Sequence, residues 1–379
     1  MRSGLERSDI QSRIRDIVDA LFLNIPCGVG SRRKDLKLNE TSYQKVLTKG
    51  AEWAVSQGYG LQDDLEHIEE NGCITGADPG QISPKAYDRG KAQLGTLGSG
   101  NHFVEVGYVA DIYDEALAHA LGLRPDQVTV IVHTGSRGFG HQVCDDFIRV
   151  MLRASEKYGI RLPDRQLCCA PIRSNEGQRY LAAMACAANF AFTNRQLITH
   201  WVRESFEQAL GMGPARLGLD LIYDVCHNIA KLEEHEIGGK KRTVCVHRKG
   251  ATRAFPPGHS KVPRAYRETG QPVLIPGDME RCSYVLVGTR RAMAETFGST
   301  CHGAGRVMSR HQAKKRAKGR AIVREMEDRG IFVRSASRAT LAEEISDAYK
   351  DVSEVVNVAH GAGISRKVAR LVPMGVIKG

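Results

Sequence analysis

Four histidines in this chain stand beside glycine turns or at the ends of apolar runs: His102 in GSGNHFVEV, His133 in IVHTGSRGFGH, His227 in YDVCHNIAK and His302 in CHGAGR. Neutral imidazole is the commonest transition-metal ligand, and near neutral pH it also serves as acid, base or nucleophile. Loops held at the ends of rigid strands are where such side chains converge. Taken singly, each histidine has an ordinary structural explanation. Four in the same setting predict a shared site.

His302 has the most informative neighbours. Gly303 and Gly305 allow the backbone to approach an anion closely. Arg306 and Arg310 follow at helical spacing, and arginine forks match phosphate oxygens. A helix opening near residue 305 would add free N–H groups. An imidazole beside a held phosphate can be a ligand, a general acid or base, or a nucleophile. Cys301 is a rival nucleophile, but adjacent residues on a strand diverge. Arg137 follows His133 in the same way. Asn101 and Glu105 flank His102, and on an ideal strand they face opposite to it. A single site using all three would need a local irregularity, which Gly98 and Gly100 would permit.

The elements that must position these residues are mixed. Residues 8–23, 41–57, 111–121, 140–158, 175–210, 306–327 and 341–350 read as helices. Strands are expected from 101 (NHFVEVGYV), from 128 (VTVIVHTGS), and in LDLIYDVCHN, TVCVHRKG, PVLIPGDM and CSYVLVGT. Residues 62–98 are rich in turns. With no linker, low-complexity tract or repeat, residues 1–379 read as one mixed α and β catalytic domain.

Composition narrows the partners. The chain has 379 residues, enough for a substantial core, and 42% of them are hydrophobic. No apolar run reaches the length of a membrane span, and the polar start MRSGLERSDIQSRIRD has no signal-peptide core. A cytoplasmic location without membrane contact is therefore expected. Ten cysteines include no CxxC pair, which excludes zinc-ribbon and thioredoxin patterns. The net charge of +11 favours an anionic partner. It is concentrated in two tracts free of acids: eight Lys or Arg from Arg306 to Arg324, and six from Lys240 to Arg253. P-loop, nucleophile-elbow and HExxH motifs are absent, and the glycine pairs lack the third glycine of a dinucleotide fingerprint.

The blocks GTLGSGNHFVEV, HTGSRGFGHQV, YLAAMACAANFAFTNR, YDVCHNIAK, VHRKGATRAFPPG, SYVLVGT, HGAGRVMSR, AYKDVSEVV and PMGVIKG occur in this order from about residue 25 to residue 379. The chain carrying them resembles the RtcB family of RNA-splicing ligases. That resemblance implies an α+β fold peculiar to the family. It implies joining of RNA 3′-phosphate or 2′,3′-cyclic phosphate ends to 5′-hydroxyl ends, dependent on GTP and on two Mn²⁺ ions. By resemblance, His302 matches the histidine that takes GMP from GTP, while His102, His133 and His227 match manganese ligands. Asn101, Glu105, Asn228, Ser283, Tyr349 and Lys378 match positions near the guanylate. Gly303, Gly305 and Arg306 join that group from the HGAGR block, and Arg137 and Arg310 match the RNA-end and phosphate region. An archease-type activator is a partner the family implies.

Two departures stand out. Family members carry an Asp and a metal-bridging Cys in a DxxCG motif, and this sequence has none. The expectation is a domain shortened at its N-terminus, with Cys27 too late in the pattern to substitute. Glu280 stands where the family has a small residue, and a carboxylate there would repel phosphate unless it points away. Two alternatives follow: a catalytically impaired RNA-binding paralogue, and a metal-dependent phosphoesterase acting on RNA ends.

Overall fold

The computed structural model describes residues 1–379. The last strand of the chain organises the fold. Eleven strands form: β1 (Arg2–Glu6), β2 (Phe103–Ile112), β3 (Gln127–His133), β4 (Asn228–Ile237), β5 (Lys240–Lys249), β6 (Ala251–Arg253), β7 (Pro272–Ile275), β8 (Ser283–Gly288), β9 (Ser299–Cys301), β10 (Phe332–Ser335) and β11 (Ser365–Lys378). The main sheet runs β1-β3-β2-β11-β8-β7, with β10 parallel to the C-terminal end of β11. β11 pairs antiparallel with β2 through Ala369–Lys378 and with β8 through Ser365–Leu371. β4 and β5 form a separate hairpin, and β6 pairs with β9.

Strand alternation decides what each face of β2 does. Val104 and Val106 join Val128 and Val130 of β3 in the core that packs under the helices. Phe103 and Glu105 point to the opposite face. Gly107 lies so close to β11 that a Cβ would sit 2.5 Å from the Val372 carbonyl oxygen. That approach and the missing N–H of Pro373 coincide with a register shift in the ladder.

The helices that matter to the site are α1 (Ile14–Asn24), α2 (Glu40–Lys49), α3 (Ala51–Ser56), α4 (Arg137–Lys157), α5 (Asn175–Leu210), α6 (Arg310–Arg316), α7 (Ile322–Glu327), α8 (Arg338–Glu343) and α9 (Val352–Gly361). α5 has the bounds expected from its pattern. Ser174 caps its start by accepting from Gly177 N–H, and Gly211 ends it in the left-handed region. It buries Phe190, Leu197, Trp201, Val202 and Phe206 against α1 and the sheet. Its long buried face explains why a helix of this length is stable without a strongly one-sided polarity.

Several expected elements differ. The 8–23 helix is broken by a 3₁₀ turn at Gln11–Arg13, and the 41–57 helix is split at Gly50. The strand read over LDLIYDVCHN does not form: residues 219–227 make strand pairing only as single bridges at Asp220 and Asp224. The ladder begins at Asn228 instead. The 111–121 helix shrinks to Glu115–Ala120, because β2 continues to Ile112. The 306–327 helix is two short pieces, α6 and α7, with a turn between them. The 341–350 pattern gives the end of α8 and a 3₁₀ turn at Ser346–Ala348. No helix is long and apolar enough to cross a membrane.

Candidate functional site

His133 ends β3, His227 precedes β4, and His302 follows β9. Their ring nitrogens meet within 4.8 Å of one another. The His227 and His302 rings stack with centroids 3.7 Å apart, and Nε2 of His302 lies 3.5 Å from Nε2 of His133. Three unrelated segments thus converge on one point. Burial holds every one of these rings neutral. It lowers His227 to about 2 and His302 to about 4, and it keeps His133 well below the usual histidine range. Neutral imidazoles with free lone pairs are the state a metal ion or an electrophile needs. Nδ1 of His302 is buried without a hydrogen-bond partner.

His102 stands beside this cluster rather than in it, with its ring centroid 6.0 Å from that of His133. Its Nδ1 lies 3.0 Å from the Leu97 carbonyl oxygen and 2.9 Å from Nη1 of Arg137. Only the tautomer that donates Nδ1–H to Leu97 leaves Nε2 free as a ligand. Burial pushes this imidazole down to about 3, and the Arg137 charge adds to the effect.

The histidines form a wall between two cavities. On one side is a cavity of about 450 Å³, lined by His133 and His302. Asn101, Glu105 and Asn228 line it from the strands, and Gly303, Gly305 and Arg306 from the loop after β9. Arg310, Tyr349 and Lys378 complete it. Ser283 stands just behind, donating to Glu105 Oε1 at 3.4 Å and accepting from Gly277 N–H. On the other side is a cavity of about 390 Å³, lined by His102, Arg137 and His227, with Asn228 shared between the two. Arg137 and Arg310, grouped together by the family resemblance, therefore face different cavities. No irregularity is required to unite Asn101, His102 and Glu105 either: alternation sends Asn101 and Glu105 to one cavity and His102 to the other.

Electrostatics in the first cavity are mixed. Burial raises the Glu105 carboxyl to about 8, so it is largely protonated at neutral pH and can donate a hydrogen bond. Burial lowers Lys378 to about 8. Arg306 is fully engaged in the protein. It donates to Tyr349 Oη (2.9 Å), Glu344 Oε1 (3.2 Å) and the carbonyls of Glu343 and Met308. It orders the cavity wall rather than offering a free fork to a phosphate. The helix expected to open near 305 begins instead at Arg310, capped by Ser309, so the 302–309 loop presents no helix end.

The basic tracts are largely neutralised. Lys314 pairs with Glu343, Arg316 with Asp347, and Arg320 with Glu325. In the second tract, Arg248 is buried on Glu233 and Arg253 on Glu69 and Glu70. Lys249 lines the first cavity, while Lys240, Lys241 and Arg242 are exposed at the hairpin tip. Glu280 turns away from the site to pair with Arg329 at 2.5 Å. Neither Cys27 nor Cys301 joins the histidine cluster. Burial raises both thiols, Cys27 to about 11.

Sequence reasoning missed the residues that hold the loops. Asn194 of α5 is fully buried, and its Oδ1 accepts from the N–H groups of Gly95 and Thr96. Its Nδ2 donates to the carbonyls of Thr96 and Gly135. One side chain thus ties the turn before His102 to the turn before Arg137. Glu69 accepts from Cys226 N–H at 2.9 Å, which fixes the residue before His227. Arg195 pairs with Asp224 at 2.6 Å in the same segment. A buried Asn or Arg inside an apolar helix was the available signal; nothing in the sequence says which loops it meets. Phe103, Lys249, Asp278 and Glu344 also line the first cavity.

Buried neutral imidazoles between two charged cavities define an enzyme-type centre suited to a metal ion and anionic substrates. Comparison with known proteins makes the assignment specific. The family described as tRNA-splicing ligase RtcB matches residues 1–379. A tRNA-splicing ligase RtcB of Archaeoglobus fulgidus is 55% identical over 379 residues, covering 100% of this chain and 78% of that protein. That of Thermococcus kodakarensis is also 55% identical with the same coverage. That of Pyrococcus furiosus is 57% identical over 380 residues, and the match spans 39% of its length. The chain belongs to the RtcB family of RNA ligases.

Proposed function

We propose that this chain is a GTP- and manganese-dependent ligase, joining RNA 3′-phosphate or 2′,3′-cyclic phosphate ends to 5′-hydroxyl ends in tRNA splicing or RNA repair. Residues 1–379 act as one catalytic unit in the cytoplasm. The observation that carries this reading is His302: a half-buried, neutral imidazole with a buried, unpartnered Nδ1, in the wall of a cavity of about 450 Å³.

Guanosine triphosphate occupies that cavity. A ring nitrogen of His302 attacks the α-phosphorus; the N–P bond forms, the bond to the β-phosphate oxygen breaks, and pyrophosphate leaves. The guanylate then passes to the RNA 3′-phosphate, freeing His302, and the 5′-hydroxyl displaces GMP to close the strand. A cyclic phosphate end is first opened by water. The protonated Glu105, Asn101, Ser283 and Lys378 supply donors at one end of the cavity, and Tyr349 supplies an aromatic face. Lys249 and Arg310 supply charge near the phosphates. His102, His133 and His227 would hold two manganese ions. Neutral imidazoles fit such ions when oxygen donors join them, and phosphate oxygens and water provide these. Bound there, manganese would withdraw charge from the α-phosphate.

Incubating the protein with Mn²⁺ and α-labelled GTP, followed by denaturation, tests the reading. Label should stay on the wild-type chain and be lost in His302→Ala or on chelating the metal. Phosphate release from RNA ends without GTP would favour the phosphoesterase alternative. RNA binding with no covalent label in either protein would favour the non-catalytic one.

A further inference from the structure

The stacked pair His227 and His302 comes from two segments that share no sheet. His227 precedes the β4–β5 hairpin, and His302 follows β9. The three-residue strand β6 and the glycine before it touch both segments. Gly250 turns the chain out of β5 into β6 with φ +64°. Its N–H donates to Asn228 Oδ1 at 3.1 Å, and its carbonyl accepts from His302 N–H at 3.1 Å. Ala251, Thr252 and Arg253 then pair with Cys301, Thr300 and Ser299 of β9. From the middle of this strand, Thr252 Oγ1 donates to the Cys226 carbonyl at 3.3 Å.

Arg253 secures the same residue from its other side. It is 1% exposed; its Nε lies 3.0 Å from Glu69 Oε1, and its Nη1 lies 2.6 Å from Glu70 Oε1. Glu69 Oε2 in turn accepts the Cys226 N–H at 2.9 Å. Residue 226 is therefore held at its carbonyl by Thr252 and at its N–H by the carboxylate that Arg253 orients. Lys231 of β4 joins that carboxylate at 3.0 Å. Glu70 and Asn71 hold left-handed φ values of 54° and 52°, a strained turn that persists only where its surroundings over-determine it. Two three-residue strands outside the main sheet add little stability of their own. A buried guanidinium between carboxylates is also an inefficient source of stability. What the arrangement does fix is geometry: it reaches the residue before His227, the residue after it, and His302 itself.

We infer that Gly250–Arg253 is a splint that sets the His227–His302 stack, with Thr252 and Arg253 as positioning residues for the nucleophile. Neither side chain lines either cavity, so both act through Cys226 and His302 rather than on a substrate. The role of His302 as nucleophile rests on the reading of the chain as an RNA ligase; the splint itself does not.

Thr252→Val keeps the shape of the buried side chain and removes its hydroxyl, whereas Thr252→Ser keeps the hydroxyl. Histidine Cε1–Hε1 NMR signals of the metal-free protein, assigned with His227→Gln and His302→Gln, read the stack, because each ring lies in the shielding region of the other. In Thr252→Val the His227 and His302 signals should move while those of the exposed His119 and His360 stay. Thr252→Ser should keep the wild-type positions. The second readout is single-turnover labelling by α-labelled GTP with Mn²⁺. Its maximal rate should fall by about 10- to 100-fold in Thr252→Val, the cost of a displacement of up to about 1 Å. Half-saturating GTP should stay within about threefold of wild type, and serine should restore the rate. Glu70→Gln loosens Arg253 at a half-buried position and should move the same two signals, which keeps the test decisive if Thr252→Val does not fold. Unmoved signals in the folded Thr252→Val or Glu70→Gln protein, or Thr252→Ser behaving like Thr252→Val, overturns the splint. Moved signals with an unchanged labelling rate overturn the positioning role. If the wild-type chain takes no label, the ligase reading fails, and the NMR comparison still decides the splint.

Discussion

Replacing Gly98 by alanine separates the geometry of the site from the stability of the fold. Gly98 adopts φ +90°, and an added Cβ would lie 1.8 Å from Cζ and Nη1 of Arg137. Non-bonded carbons normally approach to about 3.5–4.0 Å, so the guanidinium must move by about 2 Å. That breaks its 2.9 Å approach to His102 and its hydrogen bond to Thr96. The backbone cost of a left-handed alanine is about 1–2 kcal/mol. For a chain of this size it lowers Tm by about 2 °C. The cost to function is larger, since a 1 Å misplacement at a reacting centre is worth about 100-fold in rate. The expected result is a ligation rate at least about 100-fold down in a protein that melts almost normally. Gly330→Ala is the control. It has φ +78° and nothing within 4 Å of its Cβ, so it carries the same backbone strain with no neighbour to displace. Its melting temperature should match that of Gly98→Ala, with ligation unchanged. Ligation by Gly98→Ala within about threefold of wild type, with matched melting, would refute the claim that Arg137 must sit where it does.

Three further outcomes follow from the site. Burial raises Glu105 to about 8, so between about 4.5 and 8 the unfolded chain has released a proton that the folded protein keeps. Stability therefore falls as pH rises through that window; Glu105→Gln should flatten the profile and raise Tm at pH 8, while guanylylation drops. Burial opposes ionisation of Glu69, but Lys231 and Arg253 win and hold it at about 2. Its stabilisation is present above about 4.5 and is lost as pH falls toward 2. Glu69→Gln should cost on the order of 3 kcal/mol at neutral pH by urea unfolding and show a flatter acid limb. Asn194→Ala leaves buried N–H and C=O groups of two loops unpaired, and should destabilise by about 2 kcal/mol or more.

The histidines were legible in the sequence because their setting was local: each sits beside a glycine turn or at the end of an apolar run, patterns that span a few residues. The long helix α5 was legible for the same reason, since periodicity and caps lie within the segment. The α+β class followed from the interleaving of such segments. β11 was not legible, although it is the longest strand and stands mid-sheet. Its C-terminal part, residues 373–378, is buried on both faces, and it contains Pro373 and Gly375, so it has neither sustained alternation nor an unbroken apolar run. The stretch 219–227 has strand-like residues but no continuous partner, and pairing is a property of two segments.

The sequence alone determined the residue types, and through their local order it determined the family. Tertiary structure decided how those residues divide. His102 and Arg137 face one cavity and Glu105 and Arg310 the other, because the alternation of a strand and the path of a loop set direction only once the sheet has formed. It also decided which charges are free. Most of the basic tracts are neutralised by acids distant in the chain, and Arg195, which closes the YLAAMACAANFAFTNR block, keeps one buried donor unpaired beside the histidines. Charge is written along the chain, but whether it is available depends on what folds against it.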